Sequence, residues 1–163
     1  MEKNTLIQIL NNLIEKYKTL LKENDKVASG GLLNSIQGEV RVDNNLYSFV
    51  INLNDYWKFL EYGVNGTAVD NGSTYSFKKK TVNTDAIEKW ITVKKIVPHS
   101  INNKVPSTKQ LAYYISRSIA RNGIKGGHYL NNSLQSTDFI NNIIEEFSKQ
   151  VNIEINKITK INI

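Results

Sequence analysis

At 163 residues, 40% hydrophobic and 22% charged, the chain is long enough to bury one core and too apolar to be disordered. It has no cysteine, which excludes disulfides, thiolate chemistry and the common zinc sites, and no apolar run near the roughly 18 residues of a membrane span. The net charge of +6 permits a polyanionic partner without demanding one, and only Arg41, Arg117 and Arg121 carry the planar fork that suits specific phosphate or base contacts.

Glu2, Lys3 and Asn4 lead into an amphipathic pattern and do not read as a signal peptide. The sequons at Asn65, Asn71 and Asn131 therefore carry little weight. Thr5-Leu6-Ile7-Gln8 reads as a capping box opening a long helix. Leu6, Leu10, Leu13, Tyr17 and Leu20 form its apolar stripe, widened by Ile7, Ile14 and Leu21. Such a stripe covers a core or packs on a neighbouring subunit. Ser29-Gly30-Gly31 is a break, followed by a short helical turn. Glu39 to Asp43 alternates, with Val40 and Val42 on one face. Asn44-Asn45 fits a two-residue turn, and Leu46 to Leu53 places Tyr47, Phe49, Ile51 and Leu53 together. An antiparallel hairpin with one buried face follows.

Asp55 is placed to cap a short helix that Gly63 ends in the left-handed conformation, with Tyr56, Phe59 and Leu60 on its core face. Val64 to Asn83 is a long polar loop with Asn65-Gly66 and Asn71-Gly72 turns. Its middle, Ser73 to Lys80, reads as a small hairpin arm. Connections of this length usually have a role. Asp85 opens a helix with Ile87, Trp90 and Ile91 on one face, and an irregular stretch from Lys95 to Pro106 comes next. Ser107-Thr108-Lys109-Gln110 is a second capping box. Leu111, Ile115 and Ile119 read as the buried row of its helix. Gly123 is the C-cap, with Ile124 placed for a Schellman contact on Ile119. A last helix runs from about Asp138 with Phe139, Ile143, Phe147 and Val151 in a row. Beyond Gln150 the pattern fits a strand or a continued helix, and the helix is preferred because nothing breaks it. The whole reads as one α+β domain over residues 1–163, with a long N-terminal helix and a small antiparallel sheet with a hairpin. Several helices pack on that sheet, and a long extended loop completes it.

Chemistry is sparse. His99 and His128 share no motif with each other or with a carboxylate. Gly123-Ile124-Lys125-Gly126-Gly127 lacks the order and the Gly-Lys-Ser/Thr ending of a phosphate loop. Glu145 pairs with Lys149 one turn on. No catalytic residue, cofactor site or metal site is predicted. What stands out is Tyr56 to Thr67, four aromatics around Glu61 before a glycine. A second segment, Ala112 to Lys125, completes the pattern. Glu61 is either an exposed helix residue or one half of a salt bridge across a subunit contact, to Arg117 or Arg121. Lys78-Lys79-Lys80 follows Tyr75 and Phe77, and basic groups interleaved with aromatics suit nucleic acid. Candidate interface residues are Trp57, Glu61, Tyr62, Tyr75, Phe77, Lys78, Lys79, Lys80, Arg117 and Arg121.

Taken in order, these elements resemble the head–tail joining and tail-completion proteins of tailed bacteriophages. The resemblance covers roughly Ala28 to Phe147. It rests on the long helix, Ser29-Gly30-Gly31-Leu32 with Ser35, two strands, Phe59-Leu60-Glu61-Tyr62-Gly63, Ile119 to Lys125, and Gly127 to Leu130. Two positions depart from the family's pattern. Thr67 comes late after the glutamate element, and His128 stands where the family often has proline. The resemblance implies a non-enzymatic virion protein at the neck or tail end, assembled in the host cytoplasm. It implies a homo-oligomeric ring, six-fold or twelve-fold, that meets portal or adaptor and tail proteins. DNA would pass through that ring without sequence-specific binding, and no membrane is involved. The alternative, from charge and the lysine run, is a small basic nucleic-acid-binding protein.

Overall fold

A computed structural model describes residues 3–27, 29–44, 46–100 and 105–161, with side chains as far as Asn152. The fold is α+β, with a long N-terminal helix and a small antiparallel two-stranded sheet. The chain divides into two compact units. One comprises Met1–Asn24, Ser35–Leu53 and Tyr129–Ile163, the other Asp25–Asn34 and Asn54–His128.

The first unit is built on α1 (Lys3–Glu23), whose buried face is Leu6, Ile9, Leu10, Leu13, Ile14, Tyr17 and Leu21. The stripe is rotated from the sequence reading. Ile9 is inside, and Ile7 faces solvent. Thr5 lies within the first turn rather than before it, so its capping box does not form. The α2 turn (Gly31–Ser35) follows the Ser29-Gly30 break. β1 (Gln37–Asp43) and β2 (Leu46–Asn52) then pair antiparallel with Val40 opposite Phe49. Val40 is buried, but Val42 on the same face is exposed near the hairpin end. Asn44 has φ 45°, while Asn45, the second residue of the predicted turn, lies outside the described residues. Gly38 lets β1 lie against α1, since a Cβ there would come within 2.9 Å of Leu10 Cδ2.

In the same unit, α6 (Tyr129–Leu134) and α7 (Thr137–Ile161) pack on α1. The helix persists to Ile161, as preferred over a strand. Its row is not the one predicted. Phe139 is half-buried, packing on Phe49 with ring centroids 6.3 Å apart, while Phe147 and Val151 are exposed and Glu146 is buried. Glu145 and Lys149 form the expected pair, at 2.7 Å.

The second unit holds α3 (Trp57–Tyr62), β3 (Gly63–Asn65), α4 (Thr84–Val93), α5 (Thr108–Asn122) and β4 (Gly123–Lys125). Asn83, not Asp85, caps α4, its Oδ1 accepting from the Asp85 and Ala86 amides at 3.1 Å. Ile87 and Trp90 are half-buried and Ile91 is buried, as read from the sequence. The Ser107–Gln110 capping box on α5 is formed in both directions. The residues of α5 that vanish from solvent are the small ones, Ala112, Ser116 and Ala120, with Leu111, Ile115 and Ile119 only half-buried beside them. A row of small side chains lets α4 and α5 approach closely. The Ser116 hydroxyl donates to the Val82 carbonyl at 2.8 Å, which satisfies the one polar atom in that row.

Candidate functional site

Both sequence segments that stood out end a helix and begin a strand, and the strands pair. Gly63 pairs with Lys125, Val64 with Ile124 and Asn65 with Gly123, antiparallel. Gly63 ends α3 with φ 75° and ψ −169°, and its N–H donates to the Phe59 carbonyl. Gly123 ends α5 with φ 74° and ψ −166°, and its N–H donates to the Ile119 carbonyl. These glycines are caps, as predicted. Their ψ, however, is extended rather than left-handed helical, so the chain passes straight into a strand and no Schellman motif forms. That backbone region is essentially closed to residues with a Cβ. The crossing is also tight. Around Gly66 the Gly123 nitrogen lies 2.5 Å from where a Cβ would stand, and around Gly126 the Glu61 carbonyl oxygen lies 2.6 Å away.

The long loop after β3 is folded against this crossing, and the predicted hairpin arm over Ser73 to Lys80 does not form. Asn65 organises the loop. Its Nδ2 donates to the Ser73 carbonyl at 2.8 Å, and its Oδ1 accepts from the amides of Asn71 and Ser73 at 2.7 and 3.1 Å. Its main chain bonds on either side of Ser76, accepting from Phe77 N–H and donating to Tyr75 C=O. Asn71 ties the loop to β3 and to the end of α5, its Nδ2 donating to Val64 C=O at 3.1 Å and Asn122 C=O at 2.9 Å. Thr67 and Ala68 donate to the carbonyls of Ala120 and Arg121, at the end of α5. Asparagine side chains thus substitute for a ladder, because the loop's irregular amides need acceptors that no strand supplies.

The candidate residues separate into three groups. Glu61 is 3% exposed, which overturns the reading of it as a solvated helix residue. Its carboxylate belongs to the interior, and its main chain accepts from His128 N–H. The second group is the aromatic row on α3. Tyr56, Phe59 and Tyr62, three residues apart, are all exposed, against the expectation that Tyr56 and Phe59 face the core. Asp55 does not cap this helix. It is almost fully exposed and pairs with Lys58, while the Asn54 carbonyl accepts from Trp57 N–H. Trp57 is half-buried with its ring centroid 6.0 Å from that of Tyr62, and Tyr75 meets Phe59 edge-on at 4.9 Å. Phe77 is half-buried. Burial raises the Tyr56 phenol above its ordinary pKa, against hydrogen bonds with the Asn54 side chain and the Leu32 backbone. Its hydroxyl end lies beside Gly31.

The third group is basic. Lys78, Lys79, Lys80, Arg117 and Arg121 are exposed. Lys80, Arg117 and Arg121 converge on one open cleft of about 610 Å³, with Tyr114, Thr67 and Ala68 also in its wall. The guanidinium of Arg117 sits 5.9 Å from the ring centre of Tyr113, within cation–π range. The sequence reading missed Tyr113 and Tyr114 as candidates. The signal was present, since Tyr113 lies four residues before Arg117 on a helix and so beside it.

Among the described residues no group of three His, Cys, Asp or Glu side chains could hold a metal ion, and no helix is long and apolar enough to cross a membrane. Comparison with protein-family models, curated proteins and solved structures found no match.

Proposed function

We propose that the chain is a structural subunit that assembles into a closed ring at the neck or tail end of a tailed-bacteriophage virion, joining head to tail without catalysing a reaction. The observation that carries this reading is the aromatic row on α3. Tyr56, at the N-cap, and Phe59 and Tyr62, within the six-residue helix, expose large rings beside an end locked by the β3–β4 crossing. Exposed aromatic surface on a rigid support marks a place where another protein seats. The motifs behind the phage resemblance support the same reading, because Phe59–Gly63 and Ile119–Lys125 form one structural unit.

Light scattering and negative-stain imaging test it. Six-fold or twelve-fold closed rings are expected from the chain alone or on mixing with phage portal and tail proteins. A chain that stays monomeric under both conditions overturns the reading. A monomer that binds DNA tightly and salt-sensitively favours the nucleic-acid-binding alternative.

A further inference from the structure

The cleft beside α5 has a charge pattern that ring formation does not explain. Two of the chain's three arginines lie one helical turn apart on its wall, and Lys80 approaches from the loop side. Lys78 and Lys79 extend the positive field away from it. Among the described residues none of these five side chains forms an ion pair with a carboxylate. Arg41, by contrast, is paired with Glu39 at 3.1 Å. Concentrating unneutralised cations in one concave place costs repulsion, which an anionic ligand removes.

We infer that this cleft binds the phosphate backbone of a nucleic-acid strand, with Lys80, Arg117 and Arg121 on phosphates and the exposed ring of Tyr114 in the cleft wall, flanked by Tyr113 just outside it, against bases. The tyrosines decide between phosphate and carboxylate partners. Both are half-exposed at the same helix face, with ring centroids 6.1 Å apart. A base stacks flat on an exposed ring, whereas the carboxylates of an acidic segment find only the negative face of its π-system. Arginine's planar fork suits phosphate oxygens, and the adjoining lysines supply the less directional charge. The cleft lies within one compact unit and does not depend on assembly.

Fluorescence polarisation of a labelled oligothymidine of about 20 nucleotides tests the site, with salt varied from about 50 to about 200 mM. Each lost phosphate contact should lower the slope of log affinity against log salt by about 0.7 and weaken binding roughly tenfold at the lowest salt. Arg117→Gln and Arg121→Gln should each show this, and Lys80→Gln, in the loop, repeats the test should either helix variant fold poorly. Arg41→Gln removes the same charge from β1 and should leave binding nearly unchanged. A duplex of equal length should bind more weakly, and tighter duplex binding overturns the role given to the tyrosines. Absent binding, a loss with Arg41→Gln equal to that with Arg117→Gln, or equal displacement by polyglutamate overturns the inference. Ring formation is read separately by light scattering, so either result can fail without the other.

Discussion

Gly63 and Gly123 hold the same backbone conformation, φ 75° and ψ −169° against φ 74° and ψ −166°, and each turns a helix into a strand that pairs with the other's. Two helix–glycine–strand corners therefore face each other, and the aromatic row on α3 and the basic face of α5 are both supported from this point.

The corners should be intolerant of any side chain. Gly66→Ala places a Cβ into the Arg121 carbonyl, and Gly123→Ala adds a forbidden backbone conformation to a contact with Val64. Each should cost more than about 4 kcal/mol, or prevent folding. Gly72→Ala, where φ is also positive but nothing lies within 4 Å, should cost only about 1–2 kcal/mol. Urea unfolding midpoints measure all three.

Asn65 is the next most sensitive position. Asn65→Ala leaves the Asn71 and Ser73 amides without their acceptor and should cost about 2–4 kcal/mol. Asn65→Asp keeps that acceptor but sets a carboxylate oxygen against the Ser73 carbonyl in place of the donor, so its cost should be smaller than that of the alanine variant without vanishing. Limited proteolysis between residues 66 and 80 should accelerate in the alanine variant and much less in the aspartate one.

The small row on α5 predicts an overpacking penalty. Ala120→Leu should destabilise by about 1–3 kcal/mol because Ala120 is fully buried and the packed surroundings leave no space for the added atoms. Lys109→Leu, on the exposed side of the same helix, should stay within about 0.5 kcal/mol. Thermal unfolding of the pair isolates packing from helix propensity.

Alkaline pH should act through Tyr56. Its folded pKa is raised by burial above the ordinary value of 10.0, so the folded state favours the neutral phenol. That contribution is full below about pH 10 and is lost as pH rises through the folded value. Tyr56→Phe should flatten the loss, seen as a smaller drop in urea midpoint between about pH 9 and about pH 11. On the acid side the signs reverse. Hydrogen bonding to Lys18 and Lys149 holds the Glu15 and Glu145 carboxyls below the usual range. Their contribution is present above that range, fades as pH falls, and should vanish in added salt because both pairs are exposed.

Assembly and folding should separate on α3. Tyr62→Ser removes an exposed ring and should weaken ring formation while the melting curve stays in place. Trp57→Ala, at a half-buried position, should lower stability by about 2 kcal/mol, below the 3–5 typical of a fully buried aromatic. Light scattering and circular dichroism on the same samples distinguish the two effects.

Local chemistry made parts of this fold legible. Ser107 with Gln110 marked the start of α5, Gly123 marked its end, and the alternation around Phe49 marked a strand. Long-range features were less accessible. Asn65 read as a turn residue because its side-chain partners lie six to eight residues away and depend on how the loop closes. Glu61 read as either a solvated helix residue or one half of a subunit salt bridge, and its burial was not visible because it comes from packing beyond its own helix. The Ala112, Ser116 and Ala120 spacing of four was visible, but the larger Leu111, Ile115 and Ile119 beside it gave the stronger apolar signal. On α7 the same bias placed Phe147 inside, where Glu146 is. For the site, the arginines and lysines were identified individually, while their convergence depends on Thr67 and Ala68 binding the end of α5.

That last dependence sets an order of events during synthesis. The backbone amides of Thr67 and Ala68 and the side-chain amide of Asn71 have acceptors at residues 120, 121 and 122, and β3 has no partner strand until Lys125 has been made. A nascent chain therefore carries the 66–80 segment held only by its local bonds to Asn65 for the time it takes to add about 50 more residues, and docks it in a late step across a long sequence separation. Ribosome-bound chains truncated before Gly123 should be cleaved readily in this segment, and chains released beyond Lys125 should resist.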